Sequence, residues 1–367
     1  MQTQLYVHFP FCRSKCAYCA LFSRTDADAA FRLRYAKAVA RLVESLDFAP
    51  ETIYFGGGTP SFSFAEAAAA PLAGCGAREF TVELNPADAT PAEAARLLAC
   101  GADRASMGVQ SFDDSVLRAM GRAHTAAQAA AAFRTLKREG FANAGIDLIA
   151  GWPGQGAESW IDGVKRAIDL EPQHVSAYSL IREAGTRLDA ALAESGAEPP
   201  AAEALDRVAA ADALLSSAGY VRYEVSNWAK PGFECLHNMN VWRGADYLGA
   251  GAGAFSRMGA RRWRAAPDAE AFVRAAESGA EPPRTEEETC GAEEDAVSRE
   301  IFMLRTREGF DPRAAARRRP VLAGRVAEWE GVLENSERAG LLARRGGAFS
   351  PTPRGFEVVD SILAGLV

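Results

Sequence analysis

Hydrophobic and polar positions follow two rhythms along the first half of the chain. Leu5 to Phe9 is a short apolar run closed by Pro10, and it reads as a first strand. Ala29 to Leu46 follows with helical spacing. Thr52-Ile53-Tyr54-Phe55 reads as a strand that ends in three glycines, and Phe80-Thr81-Val82-Glu83-Leu84 as another, closed by Asn85-Pro86. Thr90-Pro91-Ala92-Glu93 predicts a helix start, because Thr caps, Pro suits the first helical position and Glu stands three after the cap. Arg104 to Val109 is strand-like. Ala129, Ala132, Phe133 and Leu136 share one helical face, stopped by Gly140. Ile146 to Ala150 and Val175 to Leu180 are two more short strands, with a helix from about Glu158 to Leu170 between them.

Six β–α alternations by about residue 181 imply parallel strands with helices outside them. Six such units form an open sheet or a partial barrel. Function then collects at the carboxyl ends of the strands. The distinctive residues lie there: the cysteines after strand one, the glycines after strand two, Glu83 and Asn85 in strand three, Gln110 after strand four and Asp147 in strand five. Glu198-Pro199-Pro200 breaks the pattern. Leu205, Val208, Ala211 and Leu215 mark a further helix, and a Gly-rich aromatic stretch runs from Tyr223 to Phe255. Glu281-Pro282-Pro283 and Glu286-Glu287-Glu288 read as a solvated linker. The chain then turns helical and Arg-rich, through Arg317-Arg318-Arg319 to Arg344-Arg345, most simply a solvated face, or alternatively a docking surface. These changes divide the chain into residues 1–225, 226–280 and 281–367.

Composition narrows the class. The 367 residues suit two domains, or one large domain with an appendage. At 48% hydrophobic and 24% charged, the chain reads as a soluble globular protein. Its 41 Lys plus Arg against 48 Asp plus Glu give a charge of −7, so nucleic acid and anionic lipid are poor default partners. No apolar run reaches the roughly 18 residues of a transmembrane segment. Met1-Gln2-Thr3-Gln4 lacks the features of a signal peptide. Of the seven cysteines, three crowd together, while Cys75, Cys100, Cys235 and Cys290 are scattered. Clustered cysteines without an export signal read as metal ligands, and place the protein in a reducing cytosol.

Cys12-Arg-Ser-Lys-Cys16-Ala-Tyr-Cys19 is the strongest chemical signal. Three thiolates on a tight loop suit a soft metal centre. A 4Fe–4S cube takes one cysteine per iron, so three cysteines leave one iron open to a small molecule. The alternative is structural zinc with His8 as fourth ligand. The CxxxCxxC spacing, with Tyr18 before the last cysteine, resembles the radical S-adenosylmethionine superfamily. That resemblance implies S-adenosylmethionine chelated on the open iron, and an α/β fold: a partial (β/α)6 barrel followed by a mainly helical C-terminal domain. Phe55-Gly56-Gly57-Gly58-Thr59-Pro60 resembles the family's contact with the methionine moiety.

Tyr6-Val7-His8-Phe9-Pro10-Phe11-Cys12, Ser106-Met107-Gly108-Val109-Gln110-Ser111-Phe112 and Ile146-Asp147-Leu148-Ile149-Ala150-Gly151-Trp152-Pro153-Gly154-Gln155 resemble the oxygen-independent coproporphyrinogen oxidase family. The resemblance implies that Tyr6, Gly57, Glu83 and Ile181 contact the cluster-bound S-adenosylmethionine or its neighbour. It also implies that Tyr18, Gly58, Thr59, Gln110, Arg122 and Asp147 surround a second molecule. Porphyrinogen-oxidising members carry another cysteine two after the third ligand, where this chain has Leu21, and a longer segment before the first ligand, here Cys12. Both differences point to the HemW-type heme chaperone branch. His237-Asn238-Met239-Asn240-Val241-Trp242 resembles that branch's His-Asn-x-x-Tyr-Trp motif, with Val241 in place of Tyr and Phe255 where His is expected. The branch implies heme as ligand, with His237 offering an imidazole nitrogen to its iron. Trp228 and Trp242 would stack on the flat ring, with Cys235 as a competing ligand. The alternative is that His237 bonds within a loop and the aromatics pack the core. The function expected is transfer of heme to an acceptor protein, by a chain that forms a homodimer or acts alone. The rivals are a radical enzyme that decarboxylates a porphyrinogen and a related methyltransferase.

Overall fold

Alternate residues along the first six strands face opposite ways, and the two sets differ in chemistry. The computed structural model describes residues 3–198 and 201–367, so Met1, Gln2 and the Pro199-Pro200 break lie outside the described residues. The strands are β1 (Gln4–Phe9), β2 (Thr52–Gly57), β3 (Glu79–Leu84), β4 (Arg104–Gln110), β5 (Asn143–Ala150) and β6 (His174–Ser179). They pair in chain order, all parallel. One set, including Leu5, Val7, Ile53, Phe55, Val82, Met107, Ile146 and Val175, joins the main hydrophobic core. The helices Ala29–Glu44, Pro91–Ala99, Ala126–Glu139, Ala157–Asp169 and Ala201–Ser217 supply residues to the same core, which lies between sheet and helices. The other set is polar: Tyr6, Tyr54, Glu83, Arg104, Ser106 and Asp147. A parallel sheet covered on both faces is ordinarily apolar on both. A polar inner face marks a lumen that takes something other than side chains.

The helix boundaries follow local chemistry. The hydroxyl of Thr90 accepts from the Glu93 N–H at 3.2 Å, as the capping sequence requires. Gly140 ends its helix at φ 117°, a conformation that favours glycine.

Later strands extend the sheet on both sides, to twelve strands among the described residues. The antiparallel β7 (Val221–Glu224) and β8 (Asn227–Ala229) lie beyond β6. Beside β1 lie the parallel β9 (Tyr247–Ala250), then β10 (Phe255–Met258), β11 (Arg261–Ala265) and β12 (Arg284–Thr289). The parallel core therefore stays open, an α/β partial barrel rather than a closed one. The acidic run Glu286-Glu287-Glu288, read above as linker, is edge strand β12. Its charges face those of β11: Arg262 pairs with Glu288 at 3.4 Å, Arg264 with Glu286 at 3.1 Å, and Arg261 with Glu287. Opposite charges across a ladder stabilise a strand that has no apolar face, and they blunt the exposed edge.

The region after β12 is mainly helical, with one hairpin, β13 (Leu342–Arg345) and β14 (Ala348–Pro351). It has its own core, which includes Leu304, Phe310, Trp329, Leu333 and Phe349. Arg318 and Arg319 both pair with Glu300, so part of the arginine run is committed within this region.

Candidate active-site cavity and cysteine loop

The carboxyl ends of the parallel strands surround a cavity of about 610 Å³. Cys12, Cys16, Cys19, Tyr18, Gly57, Gly58, Thr59, Glu83, Gln110, Arg122, Asp147 and Ile181 all line it. Parallel strands carry these residues to one rim although they are far apart in the chain.

The cysteine loop is pinned by backbone bonds. The Cys12 N–H donates to Arg24 O at 3.0 Å, and the Ala17 N–H to Met120 O at 2.9 Å. The glycine turn packs beneath it. Gly58 donates to Phe9 O at 2.7 Å, and Thr59 to Phe11 O at 2.8 Å. A Cβ on Gly58 would lie 2.7 Å from both carbonyl oxygens, so a side chain there would collide with backbone. All three cysteines are free thiols. Arg122 directs Nη1 to the Cys16 sulfur at 3.2 Å and donates through Nη2 to Gly108 O at 2.6 Å. The Thr59 hydroxyl lies 3.9 Å from the Cys12 sulfur. Burial pushes the Cys12 thiol up to about 11 and raises Cys19 as well. A metal centre would have to displace their protons.

Below the thiols sits a carboxylate layer. Glu83 accepts from the Tyr54 hydroxyl at 2.9 Å and from the Gly57 N–H at 3.2 Å. A Cβ on Gly56 would come within 3.0 Å of that carboxylate. Burial raises Glu83 to about 7, and Asp147 adds to the shift. Burial raises Asp147 too, although Ser106 donates to both its oxygens, at 3.0 and 3.1 Å. Among the described residues, neither carboxylate forms an ion pair with Lys, Arg or His. Two buried acids without a paired cation suit a ligand that brings its own positive charge.

Two expected site residues stand apart. The Tyr6 hydroxyl donates to His8 Nδ1 at 3.1 Å, while His8 Nε2 donates to Phe22 O at 2.8 Å. Both ring nitrogens of His8 are thereby engaged. Among the described residues, no three His, Cys, Asp or Glu side chains converge to clasp a single ion, the three motif cysteines included. His237 lies at the opposite mouth of the barrel, on the short helix Leu236–Trp242 that covers the amino ends of the strands. The residue is 7% exposed, and its Nδ1 lies 2.8 Å from Thr52 Oγ1. Glu79 holds the start of this helix by accepting from the N–H groups of Leu236 at 2.9 Å and His237 at 3.0 Å. Trp228 is fully buried and donates to Asp212 at 2.6 Å, so it presents no face for stacking. Trp242 donates to Glu224 at 3.0 Å. Cys235 is fully buried beside Glu79.

Sequence reasoning missed Tyr54 and Ser106, the residues that hold the two carboxylates. Their signal was the strand period, since Tyr54 and Gly56 share a face, as do Ser106 and Gly108. It also missed that the expected contact Ile181 belongs to an apolar rim. Leu21, Tyr178, Ile181 and Leu205 are among the exposed large hydrophobic residues, and all four line the cavity.

An open parallel βα barrel with a cysteine loop at its carboxyl rim is the architecture of radical S-adenosylmethionine proteins, and the Radical SAM superfamily matches residues 6–167. The heme chaperone HemW of Mycobacterium tuberculosis is 36% identical over 284 residues, covering 71% of this chain and 70% of that protein. HemW of Escherichia coli is 34% identical over 273 residues, covering 69% and 70%. The solved structure of Escherichia coli coproporphyrinogen III oxidase, HemN, superposes with a TM-score of 0.81 at 21% identity, covering 100% of this chain and 90% of that one, which establishes the shared fold. The chain belongs to the HemW family within the radical SAM superfamily. Among the described residues, no helix is long and apolar enough to cross a membrane.

Proposed function

We propose that this protein is a heme chaperone that carries a 4Fe–4S cluster with S-adenosylmethionine and passes heme to an acceptor protein in a reducing compartment. The observation that carries the reading is the convergence of all three motif cysteines and nine further expected residues on one cavity, in a chain 36% identical to a HemW. Cys12, Cys16 and Cys19 would hold the cluster. The cluster would supply an open iron for chelation and a source of electrons. Glu83 and Asp147 offer negative charge to a cationic ligand, and Gly57 and Gly58 let backbone groups approach it. Arg122 offers a cationic N–H to the Cys16 sulfur. Leu21 stands two after Cys19 with half its surface exposed, so no fourth thiol faces the cavity from that position.

Heme is proposed to use His237 as an iron ligand. The residue is buried, so heme must open the packing around Nε2 while the Thr52 contact at Nδ1 is kept, and heme uptake should be slower than a diffusional encounter.

The test is anaerobic reconstitution followed by heme titration, then incubation with coproporphyrinogen III and a reductant. A Soret change that saturates at one heme per chain, without protoporphyrinogen, is expected. No Soret change would remove the chaperone reading, and catalytic formation of protoporphyrinogen would replace it with an oxidase.

A further inference from the structure

The amino mouth of the barrel carries a hydrogen-bonded chain whose direction is fixed from one end. It starts at Glu51, which accepts from Arg78 at 3.0 Å. A carboxylate so paired only accepts. Gln4 Nε2 lies 3.4 Å from Glu51 Oε2, and Asn240 Nδ2 lies 3.2 Å from the same oxygen and 3.1 Å from Gln4 Oε1. Turning the Gln4 amide over would set its oxygen against the Glu51 carboxylate and its NH2 against that of Asn240. Both contacts would be repulsive, so the described neighbours favour the amide orientation shown. Gln4 Oε1 therefore faces Thr52 Oγ1 at 2.6 Å and takes the only proton that hydroxyl has. Thr52 Oγ1 has only lone pairs left for its other neighbour, His237 Nδ1, at 2.8 Å. His237 Nδ1 must therefore carry a proton.

Among the described residues, no carboxylate pairs with the ring to favour a second ring proton. A neutral imidazole protonated at Nδ1 has its lone pair at Nε2. Among the described residues, nothing hydrogen-bonds that nitrogen.

We infer that Glu51, Gln4 and Thr52 act as positioning residues that lock His237 in the Nδ1–H tautomer, leaving Nε2 as the nitrogen a heme iron takes. The inference rests on the heme-chaperone reading for its purpose, but the tautomer itself does not depend on it. An Nδ1–H donor to a fixed oxygen also orients an imidazole ligand and raises the basicity of its other nitrogen. Sequence reasoning singled out His237 alone, because Gln4 and Thr52 are bland residues at strand starts.

The experiment is nitrogen-15 NMR of the histidine rings in the heme-free protein, labelled at its four histidines, with His237→Asn assigning the signal. A pyrrole-type Nδ1 and a pyridine-type Nε2 at His237 are expected. Thr52→Val should remove this fixed pattern and weaken heme binding by about tenfold, the usual cost at such an outer-shell partner. Thr52→Ser, which restores the hydroxyl, should recover both. A wild-type His237 protonated at Nε2 would overturn the inference. So would a Thr52→Val protein with unchanged ring signals and heme titration. The correct tautomer in a wild-type protein that binds no heme would instead sink the function proposed above and leave the relay standing.

Discussion

Arg122 Nη1 lies 3.2 Å from the Cys16 sulfur, so a guanidinium from the segment that packs against the cysteine loop is tied to it. The same side chain donates to the Gly108 carbonyl, which fixes the guanidinium by two contacts. Only one of the three motif cysteines receives such a partner among the described residues.

That contact has a measurable consequence. Hydrogen bonds to charged groups contribute about 1.5–3 kcal/mol. Arg122→Met should therefore make the reconstituted cluster lose iron to a chelator roughly ten- to a hundredfold more readily. Arg122→Lys should fall between, because it keeps the charge and loses the planar fork. Equal iron loss in all three proteins would show that the contact does nothing for the cluster.

Glu83 predicts a pH dependence of stability. Its folded value, about 7, lies above its ordinary 4.5, so the folded state holds more protons between those values. Stability therefore falls as pH rises through that window and levels off above about 7, by roughly 3 kcal/mol for this group. Glu83→Gln should remove this slope and make the ligand-free protein more stable at pH 8 than the wild type. It should also weaken S-adenosylmethionine binding. Urea unfolding at pH 5, 6.5 and 8 checks the first part, and calorimetric titration the second. A variant less stable at pH 8 would contradict the burial argument.

Arg222 joins the sheet to the C-terminal region. Its guanidinium lies between the rings of Trp228 at 4.7 Å and Phe356 at 4.6 Å, and it pairs with Glu357 at 2.7 Å. Breaking a buried pair costs about 3–5 kcal/mol, because it strands the other charge. Arg222→Ala should raise hydrogen exchange in Pro353–Glu357 and loosen the cavity wall that Phe356 and Glu357 form. Unchanged exchange there would mean that the C-terminal region is held by its other contacts.

The sequence revealed most where one residue type dictates a local geometry. Thr90-Pro91 and Gly140 marked helix ends because capping needs a hydroxyl oxygen and left-handed backbone favours glycine. The cysteine loop was legible because three thiols at that spacing serve few purposes other than a metal centre. Glu83, Gln110 and Asp147 stood out at strand ends, the family resemblance gave them roles and added Arg122, and the parallel strands explain why they meet. Strand β12 was hidden because its stabilising partners, the arginines of β11, lie more than twenty residues away. The place of His237 was equally hidden: a motif shows that a histidine exists, but not which mouth of the barrel its helix covers. The burial of Trp228 was invisible for the same reason, since an aromatic residue reads alike as a stacking face and as core.

The most direct test of the central claim is an anaerobic count of iron and sulfide per chain, in the wild type and in a Cys12→Ser, Cys16→Ser, Cys19→Ser triple variant. About four irons and four sulfides are predicted for the wild type, as a 4Fe–4S cube requires, and neither for the variant. A wild-type protein holding a single zinc and no sulfide would contradict the account, as would iron and sulfide retained in full by the triple variant.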